Sequence, residues 1–177
     1  NITYRKGREK NKDLTIDMKE NSKADLGLQG GNVPLKIPKD SNTNSLSLKS
    51  LPSDDGTVST TDVSLKSDQD TINLDKVTIL GNPDEKGSAT GINLETDKPV
   101  VLNLIDFYLP RSHFTVADTK GPKVSVKKVN VEQGSNPTLK GVSITESLNM
   151  APYTNIVLDN VQFAEKPFNI FTSEKKK

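Results

Sequence analysis

The stretch "DFYLPRSHF" places Asp106, Tyr108, Arg111 and His113 within eight residues, and His113 is the chain's single histidine. This is the one mixed constellation of acid, phenol, guanidinium and imidazole in the sequence. A tyrosine ring can stack on the face of a sugar, and a guanidinium can clamp a carboxylate through two parallel hydrogen bonds. The four residues together therefore describe a saccharide-binding loop. A plainer reading competes with it: Pro110 ends the preceding strand, and the aromatic residues cover the flank of the fold. A histidine with no paired acid or nucleophile forms neither a catalytic triad nor a metal site. No catalytic residue, metal site or cofactor is expected here.

Other chemistry is sparse. Acidic residues occur at Asp54 and Asp55, at Asp68 and Asp70, at Asp84 and Glu85, and singly at Asp75, Asp106 and Asp159. Acids at equivalent positions of a repeat could hold calcium or work as a general acid and base. These acids fall instead in turn-rich stretches and corners, where a solvated side chain is the ordinary state. There is no phosphate-binding loop, dinucleotide fingerprint or nucleophile elbow. With no cysteine, the chain has no disulfide framework, zinc-thiolate site or thiol nucleophile. Twenty-four basic residues nearly balance 23 acidic ones, for a net charge of +1. The basic runs "YRKGREKNK" and "SEKKK" are both terminal and read as solvated tails, so specific nucleic-acid binding is not expected. No apolar run is long enough to cross a membrane as a helix.

The elements that would position such residues are strands. Runs of four to nine residues recur between Asn, Asp, Gly, Ser and Pro, and no stretch carries apolar residues at helical spacing over three turns. Hydrophobic residues are 32% of the 177 and aromatics 5%, which suits a narrow aliphatic core better than a wide one. Five segments share one pattern of two apolar positions, a two-residue gap and two more. Ile72, Leu74, Val77 and Ile79 align with Val100, Leu102, Ile105 and Phe107, and with Val124, Val126, Val129 and Val131. Leu139, Val142 and Ile144 follow, and then Ile156, Leu158, Val161 and Phe163. In a straight strand the gap would send the second pair to the opposite face. If the chain bends at the gap, all four side chains stay inside. The gap residues are mostly polar or Gly, as a corner in water requires, with Leu104 the exception.

Strand, corner and strand is the unit of a parallel β-helix, or solenoid, in which stacked coils bury an aliphatic ladder. The expected fold is therefore all-β, a single domain over residues 1–177. Residues 1–60 would form irregular early coils, 61–163 the regular repeats, and 164–177 a cap or tail, with Phe168, Ile170 and Phe171 folded over the last coil. From Leu74 through Leu102, Val126, Leu139 and Leu158 the steps are 28, 24, 13 and 19 residues. The step of 13 is short for a coil, so "TLKGVSI" could instead form a hairpin with "KVSVKKVNV". The alternative architecture is an antiparallel β-sandwich, in which each corner would be a bulge.

The line "NKDLTIDMKENSKADLGLQ", followed by "NSLSLKSL", resembles the early coils of the pectate-lyase-like adhesive domains of Gram-positive cell-surface proteins, through Asp13, Leu14, Thr15, Ile16 and Asp17 and the later repeats. The resemblance implies a right-handed parallel β-helix used for attachment, without lyase chemistry. The expected function is accordingly a non-catalytic structural or adhesive module of a bacterial surface protein, extracellular or attached to the cell wall. Its ligand would be a glycan or a surface protein. Two other classes remain open: a polysaccharide lyase or hydrolase fragment, and a phage or capsule-binding fibre segment. The opening "NITYRKGREKNKD" has no initiator Met and no apolar leader, which reads as a mature product or an excised piece.

Overall fold

A computed structural model describes residues 2–5, 13–51, 60–83, 89–117, 124–163 and 169–172. The described residues contain no helix and build two sheets. One, sheet A, has nine strands: β1 (Ile2–Arg5), β3 (Ala24–Gln29), β5 (Leu46–Ser50), β7 (Ile72–Leu80), β9 (Val100–Tyr108), β11 (Val124–Val131), β13 (Val142–Met150), β15 (Gln162–Phe163) and β16 (Asn169–Thr172). The other, sheet B, has seven: β2 (Leu14–Thr15), β4 (Gly31–Ile37), β6 (Thr60–Ser67), β8 (Thr90–Thr96), β10 (Ser112–Val116), β12 (Thr138–Lys140) and β14 (Val157–Asp159). Up to β15, consecutive strands alternate between the sheets, and each sheet keeps its strands in chain order. Every ladder among the described residues is parallel. That excludes the antiparallel sandwich and the hairpin of "TLKGVSI", because neighbouring parallel strands need a long crossover between them.

The gap in the repeated pattern is a bend within sheet A. Ile72, Leu74, Val77 and Ile79 are all buried, as are Val100, Leu102, Ile105 and Phe107, and Val124, Val126, Val129 and Val131. Between the pairs, Lys127 and Lys128 are exposed and Asp75 and Lys76 half-buried. Leu104, the apolar member of the gap set, is also half-buried. The registers stack these positions in continuous rows, such as Leu74–Leu102–Val126–Ile144–Phe163. Parallel stacking puts like on like, so a single aliphatic row serves several strands at once.

The alignment of the last two repeats needs correction. Val142 and Ile144 pair with Val124 and Val126, whereas Leu139 belongs to sheet B, opposite Phe114 and Leu158. The steps along the row are therefore 28, 24, 18 and 19 residues, and the step of 13 disappears. "TLKGVSI" is one strand end in each sheet with Gly141 between them.

Sheet B is the larger surprise, because the apolar pattern does not mark β4, β6, β8 and β10. Its inward rows mix aliphatic with hydroxyl residues: Thr61, Ile92, Phe114 and Leu139 form one, and Val33, Val63, Leu94 and Val116 another. Several buried hydroxyls are satisfied by the backbone where the chain turns. Thr61 Oγ1 accepts from Gly30 N at 2.7 Å, Ser67 Oγ donates to Ile37 O at 2.8 Å, and Ser50 Oγ donates to Gly91 O at 3.2 Å. Turns also tie to the turns stacked on them, as where Gln69 Nε2 donates to Pro38 O and Ser41 O at 2.9 and 2.6 Å. Among the described residues of the first third, β3 pairs with β5 over five residues and β4 with β6 over seven.

Buried apolar side chains form one continuous cluster from Met18 to Leu148 between the two sheets. The expected cap takes another form: residues 169–172 add to sheet A as β16, in parallel register with the second half of β13, and Phe168 lies outside the described residues. No described helix is long and apolar enough to cross a membrane.

Candidate functional site

The bend and the turns send the four constellation residues to different places. Asp106 and Tyr108 lie on the outer side of β9, alternating with the inward Ile105 and Phe107. Arg111 is exposed in the turn between the sheets, at φ 54°, and makes no ion pair among the described residues. His113 is on β10, in sheet B, in register with Gly91 and Thr138. The structure thus joins Asp106 to Tyr108, whose hydroxyl donates to Asp106 Oδ2 at 3.0 Å, and separates both from His113.

Two residues that the sequence does not single out complete the group around Asp106. Lys76 Nζ, from β7, lies 3.8 Å from Asp106 Oδ2. Glu132, directly after β11, is tied to β9 by its backbone N–H, which donates to Phe107 O at 3.0 Å, and its carboxyl neighbours that of Asp106. Their common signal is register: Thr78, Asp106 and Asn130 are neighbours across three strands, so residues two positions either way share the same outer face. The Tyr108 phenol is pushed up to about 12 by burial, then by its bond to Asp106 and the charges of Asp106 and Glu132. The Glu132 carboxyl is raised to about 7, chiefly by its hydrogen bond to Asp106, with burial and the Asp106 charge adding and Lys76 opposing.

His113 titrates below its usual value because burial disfavours the imidazolium, an effect that the charge of Asp62 partly offsets. Its Nδ1 is buried without a partner. No group of three or more His, Cys, Asp or Glu among the described residues could hold a metal ion. The acids Asp54, Asp55, Asp84 and Glu85 and most of the two basic runs lie outside the described residues.

The outer face of sheet B carries a feature with no counterpart in the sequence motifs. Asn32, Asp62, Asn93, Thr115, Lys140 and Asp159 fall in one row, one residue from each of six successive strands. The row is wired by side chains. The Thr115 hydroxyl donates to Asn93 Oδ1, Asn93 Nδ2 donates to Asp62 Oδ1 at 3.0 Å, and Lys140 Nζ sits 4.0 Å from Asp159 Oδ2. The first five of these residues, with Ser64 and Glu95, line an open groove of about 540 Å³. At the usual spacing of strands, the distance from Asn32 to Lys140 is about 19 Å.

No family model, no curated protein and no solved structure matches this chain.

Proposed function

We propose that the two sheets are the faces of one parallel β-helix, and that the chain is a non-catalytic structural or adhesive module of a bacterial surface protein, acting outside the cell or on its wall by binding a glycan. The support for a β-helix is the strict alternation of strands between two parallel sheets around a single core, with sheet A bent so that each chain repeat has three sides. The carrying observation for binding is the polar row on sheet B. Asn, Asp, Thr and Lys present donors and acceptors at regular intervals along a groove, which suits the hydroxyls of a polymer lying across the strands. Two strand spacings are about 9.6 Å, the length class of a disaccharide.

Charge selects among glycans. Asp62 and Glu95 are in the groove, and its Lys140 faces Asp159, so a neutral or amino-bearing chain is favoured over a polyuronate. Neutral oligosaccharides of increasing length should bind more tightly until they span the groove, as measured by calorimetry. An Asn93→Ala/Thr115→Ala variant should weaken binding roughly tenfold, the loss of one or two net hydrogen bonds. The Tyr108→Ala/Arg111→Ala variant should leave it unchanged. Acidic polysaccharides should yield no unsaturated products with or without calcium. Turnover in that assay, or binding abolished by the Tyr108/Arg111 change alone, would overturn this reading.

A further inference from the structure

Asp106 is on the outer side of its strand yet only 4% exposed. A carboxylate so covered requires donors on both oxygens. Oδ2 has the Tyr108 hydroxyl and the Lys76 ammonium. Oδ1 is buried and has no partner. The remaining group facing this side chain is the Glu132 carboxyl, and an ionised carboxylate is an acceptor only. We propose that Glu132 carries a proton that it donates to the unpartnered Oδ1 of Asp106, and that this proton latches the turn after β11 onto β9 and releases it as the pH rises.

Glu132 is well placed for that role. Its backbone N–H donates to Phe107 O at 3.0 Å, and its carbonyl accepts from Ser135 N at 3.0 Å. Ser135 is fully buried, with its hydroxyl 3.3 Å from that of Ser112 at the start of β10. The turn that Glu132 opens therefore carries the chain from sheet A to sheet B and closes over an internal contact. The charged and titratable groups facing the pair are Lys76 from β7 and Tyr108 from β9. From β7, β11 and β13 the neighbouring outer residues are the neutral Thr78, Asn130 and Asn149. A single lysine at 3.8 Å cannot balance two adjacent carboxylates, so loss of the proton leaves an uncompensated repulsion across two strands.

The sign follows from the raised value of Glu132. Between its ordinary 4.5 and about 7 the folded chain holds more protons at this site than the unfolded chain. The contribution to stability is complete below the first value, falls as the pH rises through the second, and is constant above it. His113 works the other way, since its lowered value makes stability rise with pH toward its ordinary 6.5. A difference between wild type and a Glu132 variant at each pH cancels that histidine term.

The test follows the ¹³C carboxyl resonance of Glu132 by NMR through a pH titration, expecting a midpoint near 7 in the wild type and a return toward the ordinary value in Asp106→Asn. Glu132→Gln keeps a donor toward Asp106 without the charge, so its melting temperature should exceed the wild type's by a margin that grows from about pH 5 to about pH 8. Exchange of the Ser135 amide, corrected for its intrinsic rate, should accelerate over the same range in the wild type only. A Glu132 midpoint at its ordinary value overturns the proposal, as does a Glu132→Gln variant whose melting temperature follows the wild type's pH dependence. The second measurement decides even if Asp106→Asn fails to fold.

Discussion

Val126→Asp unfolds the protein, while Lys128→Asp, two residues away on the same strand, leaves its melting temperature within a few degrees of the wild type. Val126 is fully buried and stacked between Leu102 and Ile144. A carboxylate there has no partner and no water, a change of about 4 kcal/mol or more, comparable with the whole stability of many domains. Lys128 is exposed at the bend, where a charge reversal costs about 0.5 kcal/mol or less. Leu158→Asp is intermediate, at about 1–2 kcal/mol, because Leu158 is half-buried on an edge strand. Thermal melts followed by circular dichroism should give that order. Equal loss from Lys128→Asp would show that the bend is not where the side chains place it.

Gly91→Ala should be nearly as damaging, although it adds a single methyl group. A Cβ at Gly91 would lie 2.0 Å from His113 O and 2.8 Å from His113 Cγ, distances that no real pair of atoms tolerates. Strands β8 and β10 would have to separate in the middle of sheet B, which costs about 3 kcal/mol or more. Trimming the histidine cannot relieve it, because the nearest atom is backbone. Gly134→Ala is the control: its φ is +85°, but nothing lies within 4 Å of the added carbon, so only the conformational cost of about 1–2 kcal/mol applies. Denaturant melts of Gly91→Ala, Gly91→Ala/His113→Ala and Gly134→Ala compare close approach with backbone strain directly. Recovery of stability in the double variant would place the conflict in the imidazole instead.

How much of this was legible in the sequence differs between the sheets. In sheet A every inward position of β7, β9 and β11 is aliphatic or Phe, so the repeat and its bend are visible as spacing alone. In sheet B, Thr61, Ser67 and Thr96 take inward positions at strand ends and bond to backbone groups, and a hydroxyl in a sequence does not reveal that a backbone group will satisfy it. In the last repeats the apolar spacing runs across a change of sheet, so Leu139 falls in line with strands of sheet A although it belongs to sheet B. The candidate site divides the same way. Asp106 and Tyr108 are two apart on one strand, and alternation puts them on one face. His113 lies just beyond a turn with left-handed residues at Leu109 and Arg111, and the chain there has already changed sheets.

The sequence by itself determined a strand-rich chain, a thin aliphatic core, the bend at the polar gaps of β7, β9 and β11 and the absence of cysteine chemistry, because each of these depends on residue type and on separations of a few positions. Tertiary structure alone decided the partners. Glu132 reaches Asp106 across 26 positions, Lys76 across 30, and the row from Asn32 to Asp159 gathers one residue from each of six strands. Those meetings depend on register, and register depends on how many residues each turn consumes. Loop length costs little free energy and varies here between one strand and the next, so the spacing of such partners along the chain follows no period that could be read in advance.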